Sequence, residues 1–526
     1  MSATLANTDR FHQARWNEPI ILQLSTPGER GVVVEEAEPA VVAEVGDGLT
    51  QLAPAMRRRT PPALPEMGQM RVLRHYLRLS QETLGADFNI DVGQGTCTMK
   101  YSPKVNDQLA SSPKVTELHP LQDDRTVQGS LEILYRTDQF LRAVSGLDRF
   151  TFQPRSGTQG ILTIASIIRA YHERNGNRDR DEIITTIFSH PSDAAAAHVL
   201  GFKIVTLHPD ADGLPSVEAL RRAVSPRTAG LLITNPEDTG IFNPHIKRFT
   251  EIVHAAGGLC GYDQANANGL LGITRARDAG FDLCFFNLHK TFSVPHCCGG
   301  PAVGAVGVTE ELVRFLPRPL AAHDGRRYYF DHGGADSVGK IGGFHGVIPA
   351  VVRTYAWIRS LGAAGLREVA RVAVLNNNYL LKRVLELRGV SAPYAAGRHR
   401  IEQVRYSWEK LYRETGVTTE DVTRRMADHG MHMWSSHHPF IVPQPMTLEP
   451  TEAYSQAELD QYAAALASIV DEAYTTPAVV QAAPHRSPIH RARHEALDDP
   501  ERWAMTWRAY VRKHGLPAEE ASCRPT

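Results

Sequence analysis

GLCGYDQANAN (258–268) and, shortly after it, FDLCFFNLHKTF (281–292) decide how this chain is read. Each holds a short, unbroken apolar run that ends abruptly in polar groups: the first closes on Asp263, and the second runs out through Asn287 and His289 to Lys290. A continuous apolar run of this length reads as a strand buried on both faces, the habit of parallel sheets covered by helices. Working outward, EIITTIF (182–188), FKIVTLH (202–208), AGLLIT (229–234) and VGAVGV (303–308) have the same character. Between them lie helical patterns such as SVEALRRAV (216–224) and PHIKRFTEIVHAAGG (244–258), the latter with Pro near its start and Gly after its end. Strand, helix, strand repetition predicts an α/β fold with a mostly parallel central sheet. Ligands of such sheets bind beyond the carboxyl ends of the strands, where Asp263 and Lys290 stand.

The rest of the chain frames this centre. Its 526 residues exceed one ordinary core, so a large domain with smaller pieces at its ends is expected. An N-terminal arm and helical extension is predicted over 1–130, the large α/β domain over 131–350, a smaller C-terminal α+β domain over 351–483, and a tail over 484–526. The arm includes MRRRTPPALPEM (56–67), whose successive prolines exclude a regular helix, and it reads as extended over roughly 27–66. A long helical pattern, VIPAVVRTYAWIRSLGAAGLREVARVAVLNNNYLLKRVLEL (347–387), leads out of the large domain.

Composition narrows the function classes. Hydrophobic residues make up 42% and charged residues 22%, as in ordinary soluble proteins. Lys plus Arg (57) nearly balances Asp plus Glu (58), giving no broad attraction for nucleic acid or an anionic membrane. The six cysteines lack the paired spacing of a zinc site or disulfide framework, so no metal is expected and a reducing cytosol fits. The N-terminus carries no signal-type apolar run, and no stretch approaches the length of a membrane span; a cytoplasmic protein is expected.

Three features carry chemistry. SGTQG (156–160) follows the strand-like RFTFQP and opens a helix, so backbone N–H groups beside Ser156, Gly157 and Thr158 form a phosphate cradle or a plain helix cap. Asp263 is costly where it stands unless a cation pairs with it, and a protonated pyridine nitrogen is such a cation; a turn-capping aspartate is the structural alternative. Lys290, just beyond a buried strand, is placed to become a Schiff-base nucleophile, with a snorkelling lysine as its alternative. Together they are the fixtures of a pyridoxal 5′-phosphate (PLP) site. His190, in the loop after EIITTIF, offers a flat face to stack on the cofactor ring.

NLHKTFSVPHCCGGPAVGAVGV (287–308) resembles the cofactor-lysine segment of the glycine cleavage system P-protein, and the resemblance runs on through EPIILQLSTPGERG (18–31), RHYLRLSQETLG (74–85), TCTMKYSPKVN (96–106), LHPLQDDRTVQGSLE (118–132), TNPEDTGIF (234–242), YDQANAN and MTLEPTEAYS (446–455). In its length and its start the chain resembles the PLP-carrying second subunit found where that protein is split in two. The resemblance implies fold-type I architecture and a homodimer or heterotetramer with a companion subunit. It also implies glycine decarboxylation with aminomethyl transfer to a lipoyl H-protein. By position it assigns Lys290 to the Schiff base, Asp263 to the ring nitrogen, His190 to stacking and Ser156, Gly157 and Thr158 to the phosphate, and it places Thr234, Asn266 and His289 near the cofactor.

The departures from the family pattern cluster at the site. HGTNPAS reads HPSDAAA (190–196), AAGAHG reads RSGTQG with Arg155 and Gln159, PLGSCTMK reads VGQGTCTMK (92–100), and HGGGG reads His296-Cys297-Cys298-Gly299-Gly300. They support an alternative in which a specialised PLP enzyme decarboxylates, transaminates or oxidises glycine or another small amino acid without a lipoyl acceptor. A non-catalytic partner subunit is a third reading, opposed by the joint presence of Lys290 and Asp263.

Overall fold

The structure is a computed structural model that describes residues 11–32, 34–46, 48–60, 62, 64–85, 89–93, 100–295, 302–432, 441–488, 503 and 506–515. Cys97, His296, Cys297, Cys298 and Cys523 lie outside the described residues. The chain divides into a large unit spanning 86–482 and a smaller one formed by 10–85 with the described residues from 483 onward. Arm and tail therefore share one unit, within which the Arg15 guanidinium donates to the Ser487 carbonyl at 2.6 Å. The arm is not uniformly extended: Pro39–Val45 is an α-helix with Pro39 in its first turn. The missing N–H of a proline costs nothing there, and its fixed φ suits the helix.

The large unit is built on a seven-stranded sheet of order β1-β7-β6-β5-β4-β2-β3. The strands are β1 (Arg149–Thr151), β2 (Glu182–Thr186), β3 (Lys203–Leu207), β4 (Thr228–Thr234), β5 (Leu259–Gln264), β6 (Leu283–Asn287) and β7 (Gly304–Val308). Strands β3, β2, β4, β5 and β6 run parallel, while β7 is antiparallel to both β6 and β1. Every residue of β5, β6 and β7 is buried, as strands covered on both faces require.

Alternation along each strand feeds two cores. Leu231, Ile233, Cys260, Tyr262 and Phe286 point to one face, where Phe249 and Val253 of helix Ile246–Ala255 meet them. Leu232, Leu259, Leu283 and Phe285 point to the other, against Ile161, Ile164 and Ile168 of helix Gly157–Arg174. Each fully buried Leu, Ile or Phe contributes about 1.5–3 kcal/mol. The Gly157 helix lies so close to the sheet that a Cβ on Gly160 would sit 2.9 Å from the Phe285 ring.

Helix Ile348–Leu385 links the sheet to a second core and is interrupted at Gly362, whose φ of 63° suits glycine. Its first half buries Val351 and Trp357 in the sheet core. Its second half buries Leu380 and Val384 against an antiparallel pair, β10 (Val404–Ser407) and β11 (Pro445–Leu448), and helix Gln456–Thr475. That last helix starts with a reciprocal cap, Ser455 to the Glu458 N–H and the Glu458 carboxylate back to Ser455. Two further strands, β8 (Leu320–His323) and β9 (Tyr328–Asp331), pair antiparallel. Among the described residues no helix is long and apolar enough to cross a membrane.

Candidate active site

The carboxyl ends of β4, β5 and β6 bring the predicted residues together. Thr234 closes β4 and lies in register with Asp263 on β5, which in turn pairs with Phe285 on β6. Lys290 follows β6 in a tight turn: its N–H donates to the Asn287 carbonyl at 3.0 Å, and its own carbonyl accepts from Ser293. It is half-buried. Asp263 is buried; its Oδ1 accepts the Ala265 N–H at 2.8 Å, and among the described residues its Oδ2 meets no donor. Burial pushes this carboxyl up, opposed by the Ala265 N–H and the Lys290 charge. The Thr234 hydroxyl likewise lacks a partner among the described residues.

The predicted phosphate cradle opens the Gly157 helix. Ser156 is the extended N-cap, and its Oγ accepts the Gln159 N–H at 3.0 Å. The Gly160 N–H turns to the Ser156 carbonyl. The N–H groups of Gly157 and Thr158 have no acceptor among the described residues, as expected at a helix start. Arg155 and Gln159, the new polar groups of this loop, serve the cap: Gln159 Oε1 accepts the Arg155 N–H at 2.7 Å, and the Arg155 guanidinium donates to the Gly343 carbonyl at 2.5 Å. A Cβ on Gly157 would lie 2.9 Å from Asn287 Nδ2, so glycine lets the cradle close on the end of β6, three residues before Lys290.

His190 caps helix Pro191–Val199, its Nδ1 accepting the Ser192 N–H at 3.1 Å. Asn266 turns its amide to Glu449, which also accepts from Asn268 at 2.9 Å. Buried His289 accepts the Val303 N–H on Nδ1.

Several charged neighbours escape sequence reasoning. Asp193, Glu237, Glu402 and Glu449 are all buried here. Burial raises each, and it pushes Glu237 up to about 8 despite a hydrogen bond from the Thr186 hydroxyl. Lys290 is the cation that opposes the shifts of Asp263, Glu402 and Glu449. Lys100 adds a second, 3.0 Å from Glu452 and 5.0 Å over the Trp357 ring. Glu402 and Glu449 lie far along the chain and carry no local signal. Asp193 does carry one, a carboxylate inside the otherwise apolar run DAAAA.

This donor set fits PLP: open N–H groups for a phosphate, a buried carboxylate oxygen without a donor for a cationic ring nitrogen, and an amine for an aldehyde. Sheet order and site together define a PLP-dependent enzyme of the fold-type I class. Residues 154–405 match the family described as Aminotransferase class-V, and 369–494 match Glycine dehydrogenase, C-terminal domain. A solved structure described as glycine decarboxylase (P-protein) of the glycine cleavage system superposes with a TM-score of 0.69 at 20% identity, covering 83% of this chain and all of that one. Proteins named probable glycine dehydrogenase (decarboxylating) subunit 2 are similar over nearly their whole length. Those of Pyrococcus horikoshii and Pyrococcus abyssi are 42% and 43% identical, with 95% of this chain and 98% of the relative covered. The chain belongs to the family of glycine dehydrogenase (decarboxylating) subunit 2.

Proposed function

We propose that this chain decarboxylates glycine and passes the remaining aminomethyl group to the lipoyl arm of a carrier protein, working in the cytosol as a homodimer or, with a companion subunit, as a heterotetramer. The observation that carries this reading is the meeting of Lys290 and Asp263 at the strand ends of a chain so similar to proteins of that name. Bound PLP supplies an aldehyde and an electron-accepting ring. The chain supplies the rest. Lys290 Nζ would hold the aldehyde carbon, and as a free amine it would be able to take a proton. Asp263 Oδ2 holds the ring-nitrogen proton, an electrostatic support that grows in weight in a dry site. Gly157 and Thr158 N–H groups, with the Ser156 and Thr158 side chains, hold the phosphate. His190 covers a ring face, while Thr234, Asn266 and His289 line the surroundings.

The test is exchange of labelled bicarbonate into the carboxyl group of glycine. Exchange that requires a lipoylated carrier protein is the expected result; its absence with carrier and companion subunit both present contradicts the reading. Asp193, where the family pattern has Asn, favours one alternative, the specialised enzyme for glycine or another small amino acid without a lipoyl acceptor. Other amino acids altering the visible band of the loaded protein, while glycine does not, would select it.

A further inference from the structure

Asp193 is 0% exposed, in the first turn of helix Pro191–Val199. An acid there ordinarily serves the free N–H groups of the helix start. Those donors are already engaged: the Ser192 N–H goes to His190 Nδ1, and the Asp193 N–H goes to the His190 carbonyl at 2.9 Å. Among the described residues neither Asp193 oxygen meets a donor, nor does Asp263 Oδ2. The two carboxyls are within hydrogen-bonding reach of each other. Two ionised carboxylates are both acceptors and repel in a dry interior, so contact is favourable only with a proton between them. The family pattern has Asn at this position, so the second carboxyl belongs to this chain's own departures.

We propose that Asp193 is a positioning residue that holds a proton against Asp263, so that the pair presents one negative charge to the ring nitrogen of the cofactor. The inference rests on the PLP reading of the site. The groups facing the pair are Glu237 from the turn after β4, Glu402 from the segment before β10, Tyr262 on β5, Lys290 after β6 and His190 at the helix cap. Lys290 is the cation that favours ionisation of Asp263. Glu237 and Glu402 add to the repulsion, so the proton stays. Bringing in the ring nitrogen places a cation against the shared charge without requiring a second carboxylate to be desolvated.

The test uses full-length protein without cofactor, so it does not depend on activity. A carboxyl that keeps its proton in the fold but releases it on unfolding makes stability fall as pH rises above the ordinary carboxylate range. The unfolding equilibrium constant of the wild type should therefore climb more steeply with pH than that of Asp193→Asn, by about tenfold per pH unit for one proton. Glu237 and Glu402 remain in both proteins and cancel in the difference. Asp193→Ala removes the same proton with a different side chain and should lose the same slope, which keeps the test open if the Asn variant does not fold. Equal slopes in wild type and variant overturn the inference. Failure of the wild type to take up PLP would instead overturn the functional reading while leaving the slope difference in place.

Discussion

The two ends of one sheet treat their carboxylates in opposite ways. At the amino ends of the strands each is matched: Asp282 Oδ2 accepts the Cys260 N–H at 2.7 Å and His254 Nε2 at 2.8 Å, and Asp181 takes Arg227 through both oxygens and Lys203 at 3.2 Å. Arg227 and Lys203 hold Asp181 below the usual carboxylate range, and Asp282 holds His254 above the usual imidazole range. At the carboxyl ends, Asp193, Glu237 and Asp263 are buried with oxygens that no donor reaches among the described residues, and all three are raised. The same strands supply both ends, so the difference does not come from composition. Where only folding is at stake the carboxylates are paired; where they are not, the missing charge is one that a ligand can bring.

The contrast can be broken from the top down. Lys290→Ala removes the only group proposed to bind the cofactor covalently and should lower glycine-dependent CO2 release by at least about 10³-fold, with unchanged circular dichroism. Asp263→Asn leaves shape but removes the charge, and kcat/KM should drop by roughly 10²–10³-fold. Glu237→Gln acts on stability. The wild-type carboxyl, raised from 4.5 to about 8, stays protonated in the fold while the unfolded chain ionises, so the wild type loses stability as pH climbs through that window. The variant escapes this loss; thermal unfolding should show it on the order of a few kcal/mol more stable at pH 8 and equal at pH 4. At the other end Arg227→Ala breaks a half-exposed pair, and chemical denaturation should register about 1 kcal/mol or less, shrinking further with added salt.

Much of this was legible in the residues. Six strands fall within about two residues of the apolar runs that predicted them, because buried parallel strands are short, continuous and bounded by polar turns. The antiparallel direction of β7 was not, since VGAVGV has no feature that distinguishes up from down. The Pro39 helix was missed because proline reads as a breaker although the first turn accepts it. In the site, Asp263 and Lys290 announce themselves by ending apolar runs. Asp193 hides as a helix-start acid, a role that needs no further explanation until its donors prove to be taken. Glu402 and Glu449 join the site only through the packing of the C-terminal core beside the sheet, which no local pattern encodes.

Everything proposed for the site requires that one lysine carry the cofactor. Hydride reduction of the PLP-loaded protein followed by proteolysis and mass spectrometry reads it directly. The expected product carries a pyridoxyl group on the peptide containing Lys290 and on no other. A label on Lys100, or none on a protein that nonetheless turns over glycine, would contradict it.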